Sequence, residues 1–89
     1  MYIRIRMPAH EAILKYLSGD GRVMLTKRLS ERLYDVVKKA ENDQRFACEL
    51  DAVFLGMFDD GTAEGFDDLI RDFDTPPKAL ADLLDKWNI

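Results

Sequence analysis

A chain of 89 residues with 47% hydrophobic and 34% charged side chains has the size of one small domain and is too apolar for intrinsic disorder. Its single cysteine excludes an internal disulfide framework, and no apolar run approaches the roughly 20 residues of a membrane span. The net charge of −4 hides a polarity: residues 1–48 hold ten bases against six acids, and residues 49–89 hold three bases against eleven acids.

Residues 2–7 (Tyr2, Ile3, Arg4, Ile5, Arg6, Met7) alternate, with Ile3, Ile5 and Met7 on one side. Period two with β-branched residues predicts a short strand, which Pro8 ends. Pro8 also suits the opening of a helix, because a first-turn N–H has no intrahelical partner to lose. That helix is expected from about residue 9 to 18, burying Ile13, Leu14 and Leu17, and Gly19-Asp20-Gly21 breaks it.

Residues 22–25 read two ways: as a second short strand with Thr26 capping the next helix, or as the start of that helix near Arg22. From Leu25 the period is plainly helical, with Leu25, Leu29, Leu33, Val36, Val37 and Ala40 at spacings of three and four. Lys27, Arg28, Arg32 and Lys38 lie off this stripe. Asn42 or Asp43 ends the helix and can cap its successor.

The third helix is expected from about residue 43 to 58, with Phe46, Leu50, Val53, Phe54, Met57 and Phe58 as its apolar stripe. Gly61 supplies the stop. Thr62 then reads as the cap of a shorter helix carrying Phe66, Leu69, Ile70 and Phe73. Thr75, followed by Pro76 at the first helical position, opens a last helix that buries Leu80, Leu83, Leu84 and Trp87. The expected fold is mainly α: a compact bundle of four to five short amphipathic helices with one or two short N-terminal β-strands, in a single domain over residues 1–89.

A lone strand needs a partner for its backbone groups. Residues 22–25 can supply one and leave a monomer. Alternatively, residues 2–6 (Tyr2 to Arg6) pair with their own copy about a two-fold axis, which makes a homodimer, or with the sheet edge of a target protein.

The groups that carry chemistry are few. Cys48 and His10 are the only thiol and the only imidazole, sit on different predicted elements, and lack a nucleophile signature. Cys48 is expected as a half-buried structural thiol and His10 as a first-turn surface residue. Structural zinc needs more Cys and His than the chain holds. Gly19-Asp20-Gly21 lacks the further glycine or the Gly-Lys-Ser/Thr run of a phosphate loop. Asp59-Asp60-Gly61 lacks the EF-hand order of ligands. An acyl carrier role fails because neither Ser18 nor Ser30 stands in the Asp-Ser-Leu setting that takes the prosthetic arm. No enzymatic activity, metal or cofactor is expected.

What stands out is charge. Asp59, Asp60, Glu64, Asp67, Asp68, Asp72 and Asp74 face a single base, Arg71. Such a surface can imitate the phosphate charge of nucleic acid and meet a basic protein groove. The expected function is therefore a small cytoplasmic interaction protein that regulates or inhibits a protein partner by occupying its basic, nucleic-acid-binding surface. In size and charge alone it has the style of phage-encoded inhibitors of defence nucleases, anti-CRISPR proteins among them. The alternative is a nucleic-acid-binding regulator using Lys27, Arg28, Arg32, Lys38 and Lys39. Against it stands an isoelectric point near 4.9, far from the basic values such domains favour.

Overall fold

Pro8 opens the first helix, α1 (Ala9–Lys15), in this computed structural model, which describes residues 8–20 and 24–89. Pro8 itself is extended (φ −56°, ψ 148°), and the chain turns helical one residue later than it. The chain continues in wider turns over Tyr16–Asp20 and kinks at Gly19, whose φ of 115° is one that side-chain-bearing residues rarely adopt. The buried face of this unit is Ala9, Ile13 and Tyr16, with Leu17 packed beside it. Leu14 was expected inside and is exposed. It sits about 100° around the helix from Ile13, and Tyr16 fills the next inward position instead.

The strand expected at residues 2–7, with the dimer it would build, lies outside the described residues, as do residues 21–23. Met24, Leu25 and Thr26 are neither strand nor helix, so the helix does not reach back toward residue 22. It begins as α2 (Lys27–Asn42), where the Thr26 hydroxyl accepts a hydrogen bond from the Leu29 N–H at 3.1 Å. Leu29, Leu33, Val36, Val37 and Ala40 are buried along it, and Leu25 packs against their edge, as the spacing requires.

Asp43 closes α2 with its backbone N–H and opens α3 (Gln44–Asp59) with its side chain, which accepts from the N–H groups of Arg45 and Phe46. One extended residue thus joins two antiparallel-prone helices. The α3 core face is Phe46, Leu50, Phe54 and Met57. Val53 is half-buried, and Phe58 is 40% exposed rather than part of the core.

Gly61 takes the left-handed conformation (φ 81°) that the stop requires. Thr62 does not cap a helix. The Asp60 carboxylate claims both its N–H and its hydroxyl, and buried Ala63 follows, with its N–H donated to the Met57 carbonyl at 3.0 Å. The short helix α4 (Phe66–Asp72) therefore starts four residues later, behind Gly65. Thr75 does not cap either: α5 (Lys78–Lys86) starts after Pro77 with no side-chain cap bond, so the prolines precede the helix rather than enter it.

Helix α1 packs on α2 and α3, α2 on α3, and α3 on α5. Phe54 sits at the centre, its ring edge-on to Phe66 (6.2 Å) and Phe73 (6.0 Å). The Cα radius of gyration of 12.5 Å is close to the about 12 Å of a compact domain of this length. Among the described residues the fold is a compact, mainly helical bundle without strands, and no helix is long and apolar enough to cross a membrane.

Candidate functional site

The seven acids between residues 59 and 74 are drawn onto three consecutive pieces: the end of α3, the turn after it, and α4 with its exit. They do not play one role. Asp59, Asp60, Glu64 and Asp74 are exposed, whereas Asp67, Asp68 and Asp72 are half-buried.

Each half-buried acid has local work or a local cost. Asp67 Oδ1 accepts the Tyr16 hydroxyl at 2.8 Å and so ties α4 to the end of α1. Asp68 accepts the Glu64 N–H at 3.0 Å and pairs with Arg71 at 3.5 Å. Both stand in the first turn of α4, where the helix dipole favours negative charge. Asp72 Oδ2 is buried without a hydrogen bond. Burial, with the nearby Asp68 charge, pushes the Asp72 carboxyl above the usual range.

That shift has a testable sign. Folding disfavours the ionised form of Asp72, so the group costs stability at neutral pH. The cost disappears as pH falls through the raised value toward the unfolded range near about 3.9. Asp72→Asn is expected to raise the melting temperature at pH 7, with the gain shrinking toward nothing near pH ~4 in a thermal scan series.

Asp60 is shifted the other way. The hydroxyl and N–H of Thr62 hold its carboxyl below the usual range, so it is an ionised, exposed charge fixed by its turn. Asp59, Glu64 and Asp74 make no side-chain hydrogen bond or ion pair among the described residues. Like Asp60 they are exposed, and Arg71 is already engaged by Asp68.

The basic residues of α2 do not gather into one field. Lys27, Arg28 and Lys38 are exposed, but exposed Glu31, Asp35 and Glu41 alternate with them. Arg32 donates to the Phe73 carbonyl at 3.3 Å, and the Lys39 ammonium lies 5.3 Å from the centre of the Trp87 ring. Two of the five bases thus hold the fold together.

Cys48 is exposed, not half-buried: it stands two residues after Phe46, on the opposite side of α3. It lines a shallow hollow of about 400 Å³ with His10, Glu41 and Asp51. His10 is half-buried, with Nδ1 out of contact with any hydrogen-bond partner. Among the described residues no three His, Cys, Asp or Glu side chains converge as metal ligands would.

A feature that the sequence pattern did not isolate is an apolar groove of about 300 Å³ where α1, α3 and α4 meet, lined by Pro8, Ala12, Phe54, Leu55, Phe58 and Phe66. Leu55 and Phe58 are 43% and 40% exposed at its mouth. Asp51 sits at its edge and accepts the Ala9 N–H at 2.8 Å. The available signal was the excess of apolar residues on α3: Leu55 lies off the Phe46–Leu50–Phe54–Met57 face, and Phe58, placed in the stripe by its spacing, lies at the edge of that face and stays partly exposed. No protein-family model, no curated protein and no solved structure matches this chain.

Proposed function

We propose that this protein acts by occupancy, not by turnover, docking the outward acids Asp59, Asp60, Glu64 and Asp74 on a basic protein surface of the kind that binds nucleic acid. What supports this reading is the split among the acids. Three are absorbed by the fold, while four stay exposed on adjoining segments with the segment's single base already paired. Exposed like charges favour a partner of opposite sign, speed encounter and select against acidic surfaces. A partner groove filled in this way is closed to its nucleic acid, which is how small phage-encoded inhibitors of defence nucleases work in outline. The interleaved charges of α2 and the structural duties of Arg32 and Lys39 weigh against a nucleic-acid-binding regulator.

Charge reversal tests the reading. Asp59→Lys, Glu64→Lys and Asp74→Lys combined touch no side-chain bond among the described residues, so the variant keeps its fold. The chain carrying these changes is expected to lose a basic protein partner that the parent retains on a column. A comparator with Lys27→Glu, Arg28→Glu and Lys38→Glu is expected to keep it. The reverse pattern, with nucleic acid shifted in a gel by the parent but not by the α2 variant, would establish the regulator instead.

A further inference from the structure

We propose that the apolar groove between α1, α3 and α4 receives one bulky apolar side chain of the basic protein partner, set between that partner's own lysines or arginines. The inference rests on the docking of the exposed acids proposed above and adds what those acids do not supply. Complementary charge sets encounter rate and partner choice more than affinity, whereas affinity concentrates in a few anchors buried in pockets.

The groove has the make-up of such a pocket. Phe54, itself buried, and Phe66 line it and meet edge-on at 6.2 Å, so its wall is anchored in the core. Leu55 and Phe58 stay partly exposed at its mouth although both are large apolar side chains. Its volume of about 300 Å³ lies at the small end of ligand pockets, which suits one side chain rather than a whole helix.

Charge decides what should flank that side chain. Asp51 is the one charged residue among the described residues that line the groove, and its Oδ1 is held in place by accepting the Ala9 N–H at 2.8 Å. Two of the exposed acids adjoin the groove through the chain itself. Asp59 follows Phe58 directly, and Glu64 stands two residues before Phe66. Their Cα atoms therefore lie about 3.8 Å from that of Phe58 and within about 7 Å of that of Phe66. An apolar residue flanked by cations satisfies both the groove and these carboxylates, in the pattern of apolar centre and polar rim that protein interfaces share.

Two blocked seven-residue peptides serve as probes: one phenylalanine between runs of three lysines, and the same peptide with alanine at the centre. In NMR titrations of the chain, the phenylalanine peptide is expected to bind at least about tenfold more tightly, the ratio that burial of one aromatic ring supplies. Its largest shift changes should fall on Leu55, Phe58 and Phe66. Leu55→Gln with Phe58→Gln alters only partly exposed positions, and should bring the ratio close to one. Asp59→Lys with Glu64→Lys should weaken both peptides and preserve the ratio. A ratio near one in the parent, or one that survives the glutamine changes, overturns the groove as the anchor site. Docking of the acids still stands in that case if charge reversal weakens both peptides. A tenfold ratio with both affinities indifferent to charge reversal overturns the basic flank, and the docking of the acids with it.

Discussion

Phe73→Ala is expected to be the most damaging single substitution in the acidic segment. Phe73 has no exposed surface, and its ring meets Phe54 edge-on at 6.0 Å. It follows immediately on α4, a helix of only seven residues with no side-chain cap bond. Such a helix is held by tertiary packing, because short isolated helices are marginal in water. Removing the ring leaves a cavity beside Phe54 and is expected to cost about 3–5 kcal/mol. In a domain of this size each kcal/mol shifts the melting temperature by about 4–8 °C, so calorimetry should show a fall of tens of degrees or no folded state. Leu55→Ala, at a partly exposed position, supplies the control and should move the transition far less. A small shift for Phe73→Ala would mean that the acidic segment is not anchored through this ring.

Tyr16→Phe is expected to come next. Tyr16 is buried, and its hydroxyl donates to the Asp67 carboxylate at 2.8 Å across 51 positions of sequence. Its ring also contacts Phe66 at 5.7 Å, and the substitution preserves that contact. The change removes the hydroxyl that Asp67 accepts, keeps the ring, and leaves a half-buried carboxylate without that donor. The expected loss is about 1.5–3 kcal/mol, read as a drop in the denaturation midpoint at unchanged slope. Asp67→Asn should recover part of the loss in the double variant, because a neutral amide is cheaper to leave at that place. Additive losses from the two changes would show that the pair is not coupled.

The parts of this fold that local rules govern were legible in the sequence. The α2 stripe from Leu29 to Ala40 and the left-handed Gly61 follow from spacing and turn chemistry within a few residues, whereas the Thr26 cap and the Asp43 junction were each one of two readings that the sequence left open. Where two local claims compete, the sequence does not say which wins. Thr62 is a good helix cap in isolation, but Asp60, two residues before it, takes its N–H and hydroxyl into a turn. On α3, apolar residues at Val53, Phe54, Leu55, Met57 and Phe58 leave the width of the buried face undetermined until α1 and α4 are in place.

The acidic cluster was visible as composition, whereas its division was not. Nothing near Asp67 announces Tyr16, and nothing near Asp72 announces burial; both depend on how α4 lies against the rest of the chain. The basic residues of α2 show the same limit. Their mixture with Glu31, Asp35 and Glu41 was on the page, but the Phe73 carbonyl that Arg32 meets lies 41 positions away.

If the outward acids drive docking, binding must be electrostatic in its salt dependence, because exposed charges are screened over about 10 Å at 0.1 M ionic strength and about 3 Å at 1 M. The most direct measurement is titration calorimetry of the full chain against the basic partner it retains, over a series of salt concentrations. Affinity is expected to fall roughly tenfold or more between about 0.05 and 0.3 M salt, and the dependence should flatten in the variant with Asp59→Lys, Glu64→Lys and Asp74→Lys. An affinity unchanged by salt and by these three reversals would contradict the account and move the contact to an apolar surface.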